Sequence, residues 1–321
     1  MLIARIVVWS APIGMMAWNA GVVLAQDYPS KPLRFVTSAA GGGGDFTSRL
    51  LAQGIAGPLG QQIIVDNRPT GPIQGQIVSQ AAPDGYTLAV SGSSVWIQTL
   101  LRKNAGYDVN KDFVPISLIE MSVNVAAVHP SVPVKSIKEL IVLAKARPGE
   151  LSYGSAGVGG AGHLATELFN SMAGIKVVHI PYKGAAQSLI DLMSGQVQFT
   201  FSSLASVAPH MKTGRVRALA VTSAQPSAMA PELPTIAAAG VPGYEAVNMT
   251  VMFAPAKTPA AIVNRLSQEI MRFVNQPDAK QKFFNAGVEA VGSSPEESAV
   301  KVKSDIARMS KVIKDADIRA D

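Results

Sequence analysis

One local pattern occurs twice in this chain and restricts what it can fold into. Leu33-Arg34-Phe35-Val36-Thr37 reads as a strand and runs into Ser38-Ala39-Ala40-Gly41-Gly42-Gly43-Gly44, a loop with almost no side chain. Asp45 then stands where a helix N-cap belongs, and Phe46 to Ile55 carries helical spacing. Far downstream, Leu151-Ser152-Tyr153 reads as a strand, Gly154 to Gly162 as a second small-residue loop, and His163 to Met172 as a helix. A strand that ends in a glycine-rich loop and opens a helix is half of a βαβ unit. Its partner strands are therefore expected to be parallel, with helices over the sheet. Two such units in 321 residues exceed what one hydrophobic core fills, so two lobes are expected.

The segments between support this reading. Ile63-Ile64-Val65 and Tyr86 to Val90 are short strands, and Pro72 to Ala81 is helical. Phe113 to His129 is a long, mostly apolar extended run, and Lys135 to Ala146 is a helix stopped by Pro148-Gly149. Val177 to Ile180, Val197 to Phe201 and Val216 to Thr222 are strands, with Ser188 to Met193 helical. Asn248 to Ala254 is extended again, followed by amphipathic helices at Ala260 to Val274 and Pro295 to Asp315. The chain thus leaves a first lobe near residue 122 and returns near residue 250. The expected division is residues 26–122 plus 251–321 for lobe 1 and 123–250 for lobe 2. Two crossings make a hinge over a cleft.

Residues 1–25 read as a targeting segment. Arg5 is its only charge, Ile6 to Leu24 is apolar, and Val23-Leu24-Ala25 suits cleavage before Gln26. The alternative is an uncleaved anchor, against which Ser10, Pro12, Gly14, Asn19 and Gly21 weaken the stretch. Cleavage implies a periplasmic location. The chain has no cysteine, which avoids mispairing in an oxidising compartment and excludes a disulfide framework. Loss of Arg5 takes the net charge from +6 to +5, spread along the chain. Clusters such as Lys135 with Lys138, and Lys301 with Lys303, read as solvated helix faces. No focused basic patch with stacking aromatics is visible, so nucleic acid is not an expected partner.

The two loops carry the chemistry. A helix N-terminus presents unpaired N–H groups and about half a positive charge, and glycine lets a ligand approach them. Two such termini across a cleft would hold a carboxylate. Each loop alone reads equally well as a tight turn; their repetition at matched points favours binding. Around them, Ser91, Ser93 and Ser94 follow a strand, and Ser155 is similarly placed to donate to an anion. His163 opens the second helix, with Glu167 one turn on as a helix-face partner. Lys183 supplies charge at the cleft or is a surface lysine. Ser202 and Ser203 end a strand that faces the cleft on this reading. Trp96 reads as core rather than as a stacking platform. Gly157-Val158-Gly159-Gly160-Ala161-Gly162 has the G-x-G-x-x-G form, but Tyr182 and Lys183 stand where a dinucleotide site needs an acid. No P-loop, G-x-S-x-G or His pair at metal-ligand spacing is present, so an enzyme is the weaker reading. No cofactor or metal is expected.

Many short motifs then occur in one order: Tyr28-Pro29-Ser30-Lys31-Pro32, Asn67-Arg68-Pro69, Ala82-Pro83-Asp84-Gly85-Tyr86-Thr87, His129-Pro130-Ser131, Tyr153-Gly154-Ser155-Ala156-Gly157, Pro181-Tyr182-Lys183-Gly184 and Arg217-Ala218-Leu219-Ala220-Val221-Thr222. In this the chain resembles the solute-binding subunits of tripartite tricarboxylate transporters, the Bug family, over essentially all of residues 26–321. The resemblance implies a type II-like periplasmic-binding-protein fold, α/β and two-lobed, with two crossing strands at the hinge. It implies a small carboxylate held largely by backbone amides: a di- or tricarboxylate, an acidic amino acid or an aromatic acid. Carried over by motif, the contacts are Gly42, Gly43, Gly44 and Asp45, then Ser91 to Ser94, then Ser155, Ala156, Gly157, Gly159, Gly160 and Ala161. It also implies delivery to a large and a small membrane subunit; no strong association surface is readable in the sequence, so a monomer is expected. An exported enzyme acting on a carboxylate, and a receptor for a signalling partner, are the alternatives. The first loop departs from the family pattern, with Ser38-Ala39-Ala40 before its glycines and Gly44 in place of Thr before Asp45.

Overall fold

The computed structural model describes residues 28–40, 43–68, 72–182 and 184–319. The leader expected over residues 1–25 lies outside the described residues, and none of the described helices is long and apolar enough to cross a membrane. The chain begins with β1 (Leu33–Thr37), α1 (Gly43–Leu59), β2 (Ile63–Asn67), α2 (Ile73–Ser79), β3 (Thr87–Ser91), α3 (Ser94–Leu101), α4 (Val109–Asp112) and β4 (Phe113–Val128). It continues through α5 (Ile137–Ala146), β5 (Ser152–Ser155), α6 (Ala161–Ala173), β6 (Val178–Pro181), α7 (Ala185–Met193), β7 (Phe199–Ser203), α8 (Leu204–Lys212) and β8 (Arg217–Val221). It returns through β9 (Val247–Pro255), α9 (Ala260–Val274), α10 (Pro277–Asn285), β10 (Glu289–Ala290) and α11 (Pro295–Asp315).

The fold is α/β, with the same arrangement built twice. β1 lies between β2 and β3, all parallel, and β5 lies between β6 and β7, all parallel. Each trio is completed by a strand of opposite direction: β9 beside β3, and the second half of β4 beside β7. The sheets are therefore mixed rather than purely parallel as the sequence suggested. An antiparallel neighbour can arrive directly from elsewhere in the chain, without the helical crossover that a parallel one needs.

β4 and β9 connect the two halves. They pair antiparallel from Phe113↔Pro255 to Val123↔Val247. From Asn124 onward β4 pairs instead with β7, and with β8 on its other edge. Both strands are apolar because both faces are covered, and most of their residues are buried.

The last helix fastens this frame. α11 opens with a capping box, Ser294 with Glu297, and packs on β4, α3 and α6. On it, buried Asp305 accepts 2.8 Å from the indole N–H of fully buried Trp96 and pairs with Arg308 at 2.9 Å. Arg308 reaches on to Glu245, 2.8 Å away, just before β9. Removing one member of a buried charge network strands the others. Asp305→Ala is expected to cost about 3 kcal/mol and lower the melting temperature by roughly 6 °C, measured by calorimetry, whereas Asp305→Asn, which keeps an acceptor for Trp96, should cost clearly less.

Candidate ligand-binding site

The carboxyl ends of β1, β3 and β5 meet at one cavity of ≈ 480 Å³, a size that suits a small metabolite. Three helices begin on it. Gly43 and Gly44 of α1, Ser93 and Ser94 at the start of α3, and Gly160 and Ala161 at the start of α6 all line it. The first turn of a helix has N–H groups without intrahelical partners. Neither α3 nor α6 satisfies them with a capping side chain. The Ser93 hydroxyl is buried against the cavity without a partner among the described residues. Glu120, Ser122 and Asn124 of β4 and residues 247–250 of β9 supply further wall, with Asp305 and Met309 from α11. Among the described residues the lining includes the acids Glu120 and Asp305 and no lysine, arginine or histidine. Attraction for an anion therefore rests on N–H groups, hydroxyls and helix dipoles.

Two glycines show why these loops lack side chains. A Cβ on Gly44 would lie 2.6 Å from the Ser38 hydroxyl. Gly159 has φ +74, and a Cβ there would lie 2.5 Å from the Leu101 side chain at the end of α3. The second loop thus lies directly against α3, and a bulkier residue would hold the two apart.

The second loop is braced from behind. The Gly159 N–H donates to His163 Nδ1 at 3.0 Å, and the Gly157 N–H to the Ser155 hydroxyl at 3.2 Å. Ser155 Oγ lies 2.7 Å from His179 Nε2. The two imidazoles stack with centroids 4.0 Å apart, and Tyr153 covers His179 at 4.8 Å. Burial, with the neighbouring His179, pushes the His163 pKa down to about 4, and burial lowers that of His179 as well. The neutral ring is required, because only an unprotonated Nδ1 accepts the Gly159 N–H.

Of the residues read from sequence, Gly43, Gly44, Ser91, Ser93, Ser94, Ala156, Gly157, Gly159, Gly160 and Ala161 line the cavity. Others stand behind it. Asp45 is not an N-cap but sits within the first turn of α1, because the helix starts at Gly43. Its carboxylate pairs with Arg49 at 2.8 Å and accepts from Asn67 at 2.9 Å, tying α1 to β2. Ser155 and His163 support the loop as described. Ser202 bonds Thr200 and Ser203 bonds Ser206, so both face structure rather than cavity. The expected His163–Glu167 contact does not form: His163 turns inward to its stack, and Glu167 accepts from Tyr153 and Asn170. Trp96 is core. Gly42 and Lys183 lie outside the described residues. Sequence reading missed Glu120, Ser122 and Asn124. Their signal was period-2 polarity in an apolar strand, which places all three on one face.

Because the folded state holds His163 neutral while the unfolded chain does not, its contribution to stability is present above about pH 6.5 and is lost as pH falls toward 4. His163→Gln, which keeps an acceptor without a basic group, should flatten that part of the stability profile, by on the order of 2 kcal/mol. Melting temperatures of both proteins between pH 4 and 7 check this; parallel curves would contradict it.

The description "Tripartite tricarboxylate transporter family receptor" matches residues 47–318. BugT of Bordetella pertussis is 31% identical over 313 residues, 95% of this chain and 96% of BugT. An R. palustris protein solved with adipate superposes with TM-score 0.76 at 37% identity, covering 91% of this chain and 99% of that one. MatC of Rhodopseudomonas palustris, solved with bound malate, gives 0.73 at 26% identity, covering 89% and 100%.

Proposed function

Because the chain belongs to the tripartite tricarboxylate transporter receptor family, whose members are receptors and not enzymes, we propose that it is a periplasmic solute-binding protein that captures a small carboxylate in this cavity. The observation that carries the reading is the meeting of three helix N-termini on a cavity whose described lining holds no cationic side chain. Such a site favours a carboxylate by directed N–H groups while avoiding a bulky counter-ion. The adipate and malate in the two solved relatives support the same chemistry.

On this reading residues 1–25 are removed on export, residues 26–122 with 251–321 form one lobe, and residues 123–250 form the other. The ligand docks on the turns of α1 and α3, and the loop from Ala156 to Ala161 closes over it, bending β4 and β9. Closure is favoured only by contacts made in the closed state. The closed monomer then presents its ligand to a large and a small membrane subunit.

The test begins with protein unfolded and refolded to strip copurified ligand, then screened by thermal shift against mono-, di- and tricarboxylates. A bound acid at about 100 times Kd should add roughly 2.7 kcal/mol of stability. Ser93→Asp is the informative variant. Ser93 makes no side-chain capping bond, so the substitution removes none from α3 while a negative charge enters the anion site. Affinity for the best acid should fall at least 30-fold, about 2 kcal/mol, with the melting temperature of the free protein unchanged. Undiminished binding would remove this cavity as the site. Small-angle scattering should show the radius of gyration decrease at saturation; an unchanged value would rule out closure.

A further inference from the structure

Glu120 is buried, 5% exposed, and lines the cavity from β4, the strand shared by both sheets. Its Oε1 accepts from the Thr250 hydroxyl on β9. Its Oε2 is buried with no hydrogen-bond partner among the described residues. A buried carboxyl oxygen without a donor is costly, and a protein that keeps one in a ligand cavity leaves a place for a donor from the ligand. The second acid of the lining has no such vacancy, since Asp305 already takes the indole N–H of Trp96 and the guanidinium of Arg308. Burial raises the Glu120 carboxyl to about 7, against the opposing pull of the Thr250 and Thr47 hydroxyls. A second ligand carboxylate beside it would add like charge, whereas an ammonium would supply both the opposite charge and the missing donor.

We propose that the ligand is an amino acid-type zwitterion, a carboxylate that also carries an ammonium group, and that Glu120 is the residue that selects it by accepting the ammonium N–H. The helix N-termini take the carboxylate end, and β4 takes the cationic end. This rests on the carboxylate site proposed above and narrows its ligand class. Ser122 and Asn124, on the same face of β4, extend the polar wall beside Glu120.

Matched acids that differ only in an amino group test this: succinate with aspartate, glutarate with glutamate, adipate with 2-aminoadipate, and butyrate with 4-aminobutyrate. Titration calorimetry on the full exported chain should show the amino member binding at least 10-fold tighter in one or more pairs. Glu120→Gln keeps the shape and removes the charge, and it should erase that preference while leaving the plain acid bound as well or better. The wild-type comparison stands by itself should the variant fold poorly. If plain acids bind as tightly as their amino partners in every pair, or if Glu120→Gln keeps the preference, the inference is overturned and the carboxylate reading stands. If no member of any pair binds, the inference falls, and the wider carboxylate screen alone decides the reading on which it rests.

Discussion

The antiparallel ladder between β4 and β9 is the constraint on which the rest of the molecule depends. It runs from Phe113↔Pro255 to Val123↔Val247, after which β4 enters the second sheet beside β7 and β8. Because β4 runs through both sheets and β9 joins it to β3, each parallel trio is fixed edge-on to a common rail. The carboxyl ends of β1 and β3 in one half and of β5 in the other therefore turn toward one cavity. In an open α/β sheet that edge is where loops open into helices, so sharing the rail brings helix N-termini face to face. The anion site follows from topology before any side chain is chosen.

The side chains then do what topology leaves undone. Small residues at Gly43, Gly44 and Gly157 to Ala161 expose backbone donors, and the Ser93 hydroxyl adds one more. A lysine or arginine in such a pocket would bind any anion strongly and would itself need desolvation. Backbone dipoles are already fixed by the fold and lose no rotamer freedom when a ligand arrives. Their weakness is that a loop must be held still. In the second loop that task falls to a neutral imidazole, His163, locked by stacking on His179 and accepting from Gly159. Glu120 works in the opposite sense: its unpaired oxygen disfavours a purely anionic ligand, so selectivity comes from what the cavity repels as well as from what it attracts.

Much of the fold was legible in the sequence where local chemistry and global role agree. α11 begins at Pro295 after Ser294 and ends at Asp315, as its cap, proline and periodicity indicate. The length of β4 was readable because a strand largely buried on both faces is mostly apolar along its run. α3 was not read, because Ser91-Gly92-Ser93-Ser94 looks like a loop and the helix after it is only two turns long. α10 escaped through its polar surface, and α8 through Pro209. In the cavity, glycines and serines could be read because their scarcity of side chain is itself a signal. Glu120 could not, because a single acid in an apolar strand takes its meaning from what packs around it. His163 was found, but its role was not, since its partners Gly159 and His179 are brought together by the pairing of β5 with β6.

The network on α11 fastens the frame beside β9. Trp96 and Asp305 join α3 to the last helix, and Arg308 carries the connection to Glu245, two residues before β9 begins. The contact of the second loop with Leu101 is different in kind: a glycine against a leucine methyl, with neither hydrogen bond nor ion pair. Strong, oriented interactions thus sit where the halves must stay joined, and a weak apolar one sits where they meet over the cavity. On the proposed function, a ligand bridging the turns of α1, α3 and α6 would be the main source of free energy for closure, coupling occupancy to shape.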